Sequence, residues 1–156
     1  MIVYMSIILT LLYTVYAVYT MKRFPDSLSE TYYGLKGKGW LFPVFAVTQG
    51  IMLMPMLLDN VGNYPYSFLV FFICMFTIFA GVTYKYKEDM DDRVMHYTSA
   101  IFMAVCVTLL YILLGQFTHL ICCMIPSGLC CIIKKECWVF WLELGLLFAV
   151  YLLLLW

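Results

Sequence analysis

Charge is scarce in this chain. Only 12% of its 156 residues are charged, and nine basic residues balance nine acidic ones. A soluble domain carries about 25% charged residues. The deficit argues against a water-exposed surface, and the zero net charge leaves no basic face for a nucleic acid. There is no basic stretch ahead of the first apolar run and no small-residue cleavage site after it, so residues 1–20 are expected to be a retained span rather than a removed signal. No glycine-rich phosphate loop, H-E-x-x-H or G-x-S-x-G is present. There are two histidines, His96 and His119, expected at opposite membrane faces, where they cannot share one haem. No cofactor and no metal is implied.

Apolar residues are what the chain has in excess, at 65% against about 45–50% in soluble domains. A single soluble core of this size could not hide that much apolar surface, and lipid is the solvent that removes the problem. The seven cysteines lie mostly within apolar runs. They read as buried free thiols, not as a secreted disulfide scaffold.

A membrane span needs about 17–25 apolar residues. Runs at 2–20, 40–58, 66–84, 96–115 and 138–156 meet that need. The run at 118–133 is shorter and carries Pro126-Ser127-Gly128 at its middle, so it reads as a span or as a re-entrant hairpin. Charge placement favours the span. Lys22, Arg23, Lys36 and Lys38 lie in the first loop, Lys85, Lys87 and Arg93 in the third, and Lys134 and Lys135 in the fifth. With six spans all of these fall on one side, which the positive-inside rule makes cytoplasmic. The expected fold is therefore all-α: a polytopic membrane helical bundle, one domain over 1–156, with six transmembrane helices and both termini non-cytoplasmic. The expected place is a bacterial inner membrane. Lipid is the expected surrounding, with a membrane protein or a second copy as the expected protein partner and no nucleic acid.

Trp40, Trp138 and Trp141 fall near the cytoplasmic ends of their spans, and Tyr64, Tyr66 and Trp156 near the outer ends, as interfacial rings do. Small residues four apart (Ala46 and Gly50, Thr77 and Gly81, Gly145 and Ala149) mark close helix contacts. In the first cytoplasmic loop, Ser27-Leu28-Ser29-Glu30 has the form of a capping box. Leu28, Tyr32 and Leu35 then share a face, and Gly37 and Gly39 follow. This predicts a short helix lying on the inner membrane surface.

Polar groups in a membrane are costly, so each is a functional suspect. Glu143 lies five residues into the last span. Asp89, Asp92, His96 and Ser99 line up at helical spacing, which suits either a carboxylate-oriented imidazole or acidic capping of a helix start. Topology puts Ser27, Ser29, Glu30, Asp92, His96 and Glu143 toward one membrane face. Ser27, Ser29, Asp92, His96 and Glu143 are thus the candidate catalytic set, and Glu143, His96 and Asp92 are expected to share a pocket. Gln49, mid-span, reads as interhelical glue. His119 and Cys122 make an H-x-x-C that is too small for a zinc site. Pro126-Ser127-Gly128 reads as a kink, or as a break into half-helices as in transporters.

Pro25-Asp26-Ser27-Leu28-Ser29-Glu30-Thr31-Tyr32-Tyr33, Val94-Met95-His96-Tyr97-Thr98-Ser99-Ala100 and Phe140-Trp141-Leu142-Glu143 together resemble a family of small multi-pass membrane proteins of gut Bacteroidales and their phages or mobile elements. That resemblance implies no particular activity. The early Ser with an Asp and His on a middle helix is also faintly similar to the alkaline-ceramidase-like membrane hydrolases, which hold zinc with an Asp and three His. Their late H-x-x-x-H is missing here, and Glu143 stands in the final helix instead. Three functional classes follow in order: a non-catalytic module for interaction or small-ligand binding, a membrane hydrolase using the Ser/Asp/His/Glu set, and a proton-coupled channel or transporter using Glu143, Gln49 and a broken fifth span.

Overall fold

The computed structural model describes residues 2–155. All regular structure in them is helical: α1 (Ile2–Met21), α2 (Thr31–Gly34), α3 (Leu41–Val61), α4 (Phe68–Val82), α5 (Met90–Leu113), α6 (Phe117–Ile133) and α7 (Trp138–Leu155), with a single 3-10 turn at Lys135–Cys137. Four stretches are long and apolar enough to cross a membrane: Ile2–Met21, Leu41–Val61, Met90–Leu113 and Lys135–Leu155. Two apolar helices, α4 and α6, are shorter. At about 1.5 Å per residue, the 17 residues of α6 run roughly 25 Å. Large apolar side chains cover the outside of the bundle; Tyr19 is 82% exposed and Ile133 74%. Such a surface suits a lipid surrounding.

Helices α3, α4 and α5 form consecutive hairpins, and α6 pairs with α7. Helix α1 lies against α3 and α7, and α5 also touches both α6 and α7. Small residues set the closest approaches. A Cβ on Gly50 would meet the Cys74 carbonyl at 3.0 Å and Ile78 at 2.6 Å, and one on Gly81 would meet the Ala46 methyl at 2.7 Å. Gly145 likewise faces the Ser127 hydroxyl, at a spacing that leaves no room for a side chain. Gly50, Gly81, Gly145 and Ala46 from the sequence pairs thus lie at the α3–α4 and α6–α7 contacts.

Helix ends are locally encoded. Asp89 caps α5, its Oδ1 accepting from the Asp91 and Asp92 amides at 2.8 and 3.3 Å. This is why α5 starts at Met90, ahead of the apolar run at 96. At its other end Gly115 takes φ +70°. The Gly115 and Gln116 amides donate back to the Ile112 and Tyr111 carbonyls at 3.0 and 2.9 Å, the Schellman pattern, and α6 follows at once. Helix α6 runs unbroken through Pro126-Ser127-Gly128, with neither half-helices nor a mid-segment reversal. Helix α2 is only 4 residues long, shorter than the capping-box pattern predicts. Residues 27–30 form tight i to i+3 turns instead.

The three loops that hold the basic residues meet at one end. Tyr32 packs on Tyr84, ring centroids 4.6 Å apart, and the Phe140 amide donates to the Asp26 carbonyl at 3.0 Å. Cys137 joins Leu28, Phe42 and Phe140 in one apolar cluster.

Candidate functional site: a cavity closed by two loops

A cavity of about 600 Å³ runs inside the bundle from this basic-loop end. Its long walls are apolar, from Phe45, Leu53 and Leu57 on α3 to Val107 on α5 and Leu146 and Val150 on α7. Its polar end is built by the first loop, the α4–α5 loop and the first two turns of α5 and α7. Ser27, Ser29, Glu30, Tyr86, Lys87, His96 and Glu143 all line it. Tyr97, Ile101 and Trp138 line it too and are exposed, so the cavity opens where α5 and α7 face each other. Farther along, these helices close together, and the Tyr111 hydroxyl donates to the Ala149 carbonyl at 2.6 Å.

The first loop is fastened to α7 by backbone groups. The Phe140 amide, one of the free N–H groups of a helix start, finds the Asp26 carbonyl. Glu143 Oε2 accepts from the Leu28 amide at 2.6 Å. The loop is also braced within itself. Ser27 Oγ accepts from the Glu30 amide at 3.1 Å, and Glu30 reaches back to the Asp26 amide at 2.5 Å. That is the reciprocal logic of a capping box, displaced by one residue. Glu30 is neutralised by Arg23 at 2.8 Å and Lys87 at 3.9 Å. The Ser27 and Ser29 hydroxyls lie 2.9 Å apart.

The α4–α5 loop closes the other side. The Lys87 amide donates to the Tyr33 hydroxyl at 3.0 Å. Arg93 Nε donates to the Tyr86 carbonyl at 3.1 Å. Tyr86 is buried and stacks on His96, centroids 4.4 Å apart with planes 10° from parallel. Burial pushes the Tyr86 hydroxyl above its ordinary pKa, and hydrogen bonding to Ser29 and Ser27 partly offsets that rise.

His96 is 4% exposed. Its Nδ1 is 2.9 Å from the Ala80 carbonyl. A carbonyl can only accept, so Nδ1 carries the hydrogen and the neutral ring presents Nε2 as an acceptor. Nε2 has no partner among the described residues, and neither does Glu143 Oε1.

Of the sequence candidates, Ser27, Ser29, His96 and Glu143 line one cavity. Asp92 does not; its place is at the capped start of α5. Among the described residues, no hydrogen bond or ion pair joins His96 to Glu143, or either serine to His96. Gln49 lies deeper and bridges helices. It bonds Ser6 through its oxygen and donates to Thr10 Oγ1 at 3.2 Å, while the Tyr151 hydroxyl donates to its oxygen at 2.9 Å. Sequence reasoning missed Tyr86, Lys87 and the Ser6, Thr10 and Tyr151 partners of Gln49. The i, i+4 spacing of Ser6 and Thr10 in an apolar run was a signal for the last group. Among the described residues, no three His, Cys, Asp or Glu side chains cluster as a metal site.

No family model matches the chain, and neither a curated protein nor a solved structure matches it.

Proposed function

We propose that this chain is a six-span integral membrane protein of a bacterial inner membrane that binds a small amphiphilic molecule in the α3–α4–α5–α7 cavity without transforming it. The carrying observation is the cavity itself. Its volume lies within the about 300–1,000 Å³ of small-molecule sites. Its walls are apolar, and its polar groups are gathered at one end. The meeting of all basic loops at that end supports a cytoplasmic placement with both termini on the opposite side.

Ligand binding is favoured over catalysis by how the polar groups are engaged. The Ser27 and Ser29 hydroxyls are occupied with each other and with the Glu30 amide, and among the described residues no base is hydrogen-bonded to either. A hydrolase needs the nucleophile within hydrogen-bond reach of its base. Transport through a broken fifth span is disfavoured by the continuity of α6 and by the bonds Gln49 makes within the bundle.

The test is ligand retention. The wild-type protein, purified in mild detergent and extracted with organic solvent, is expected to yield a hydrophobic molecule in near-stoichiometric amount by mass spectrometry. Ala104→Trp, which places a large ring in the cavity wall, is expected to lose it while staying folded. Equal recovery from both proteins would refute the reading.

A further inference from the structure

We propose that the occupant of this cavity is a single-chain amphiphile with a cationic amino head, seated between Glu143 and His96. The proposal rests on the ligand-binding reading above and adds the chemical class.

Charge bookkeeping at the polar end leaves one residue over. Asp26 and Glu30 are matched by Arg23 and Lys87. Glu143 has no cation beside it among the described residues. Its hydrogen-bond partner among the described residues is the Leu28 amide, on one oxygen. A carboxylate away from bulk water takes up a proton unless a cation or water keeps it ionised. The partner that would keep Glu143 ionised is a positive charge, and Lys87 does not supply it, because it sits over the Tyr33 ring and near Glu30.

The open hydrogen-bonding sites agree. Glu143 Oε1 and His96 Nε2 are both acceptors, on side chains that line one cavity without touching. A primary ammonium has three N–H donors and one charge, enough for both acceptors and for a serine hydroxyl. An alcohol head has one donor and leaves the carboxylate uncompensated. A carboxylate head would face Glu143 with a like charge.

Size fixes the tail. At roughly 30 Å³ for a water-sized group, 600 Å³ holds on the order of twenty such groups. That is one long chain with a small head. The two chains and phosphodiester of a bilayer phospholipid are too large. The opening between α5 and α7, at Ile101 and Trp138, is where a chain passes sideways from lipid.

Binding to the detergent-solubilised full chain tests this, read by quenching or shift of tryptophan fluorescence with Trp138 as the reporter on the cavity wall. The probes are dodecylamine, dodecanol and dodecanoate, which share one chain length. Dodecylamine is expected to bind saturably and at least tenfold more tightly than either other probe. Glu143→Gln is expected to bring it down to the level of the alcohol. Ala104→Trp is expected to abolish binding of the amine. If the alcohol or the acid binds as tightly as the amine, the amino-head assignment is wrong, while abolition by Ala104→Trp keeps the ligand-binding reading. If Ala104→Trp changes nothing for any probe, the ligand-binding reading itself fails. Should Glu143→Gln not fold, the three-probe series on the wild type decides the head alone.

Discussion

Replacing Glu143 by Ala and by Gln separates two roles that one carboxylate fills. In the structure Glu143 Oε2 accepts the Leu28 amide at 2.6 Å, and Leu28 is buried. Glu143→Ala orphans that N–H. A buried donor without a partner costs about 1–3 kcal/mol, and the neighbouring Phe140–Asp26 bond cannot take it over because it uses different groups. At a cost of about 2 kcal/mol, the loop at 25–31 opens roughly 30-fold more often. Glu143→Gln keeps an acceptor oxygen at the same reach and removes an ionisable group whose charged form is costly to desolvate. Its expected effect on the loop is small and of either sign, within about 1 kcal/mol. Hydrogen exchange of the full chain in detergent, followed by mass spectrometry of the peptide covering 25–31, measures both. The expected result is faster exchange in Glu143→Ala and near wild-type protection in Glu143→Gln. Equal damage from both substitutions, or none from Glu143→Ala, would refute the assignment of Glu143 as the loop's fastening.

Four further outcomes are expected. In a background with all seven native cysteines replaced, a thiol introduced at Asn63 should react with a membrane-impermeant reagent added from outside, and thiols at Lys36, Asp91 and Lys135 should not; outside labelling at Lys135 would overturn the six-span topology. Gln49→Leu removes the bonds joining α3 to Ser6, Thr10 and Tyr151, and at about 0.6–1.7 kcal/mol for interhelical hydrogen bonds in membranes it should lower the midpoint of detergent-induced unfolding modestly; an unchanged midpoint would show that the cluster adds nothing. Gly145→Leu drives a side chain into Ser127, and with overpacking costing about 1–3 kcal/mol it should destabilise the α6–α7 pair, whereas Gly128→Leu, which meets nothing within 4 Å, should not. Because burial raises the Tyr86 pKa in the folded protein, protonated Tyr86 contributes stability that is present below the unfolded value of about 10 and lost as pH rises above it; Tyr86→Phe should make alkaline unfolding shallower, and an identical pH profile would count against this.

The helices were legible in the sequence because their cause is local. Apolar runs, Asp89 at one helix start and Gly115 at one helix end write their geometry into neighbouring residues. The capping box at Ser27–Glu30 was legible for the same reason, yet its expected helix was too long. Asp26 and Leu28 give backbone groups to Phe140 and Glu143 on α7, which holds the loop in turns and delays the helix to Thr31. No pattern within residues 25–35 carries that information.

The site divides along the same line. Glu143 and His96 stood out because an ionisable group in an apolar run is conspicuous wherever it points. Asp92 shared their helical spacing but belongs to the start of α5, where the cap on Asp89 uses its amide. Tyr86 had nothing to mark it, since an aromatic residue in a charged loop is ordinary until its ring is found parallel to His96. The fastening of Glu143 was harder still to foresee, because its partner is a main-chain amide 115 residues away, and every residue except proline offers such an amide. A side-chain inventory can show that a buried carboxylate needs a partner, but the fold decides which amide supplies it. Here the fold satisfies one oxygen of Glu143 and leaves the other without a partner among the described residues, on a side chain that lines a cavity. A purely structural acceptor at that position could have been a glutamine at lower desolvation cost. An ionisable carboxyl in place of an amide is therefore the feature of this site that loop anchoring does not explain, and the proposed cationic head would explain it.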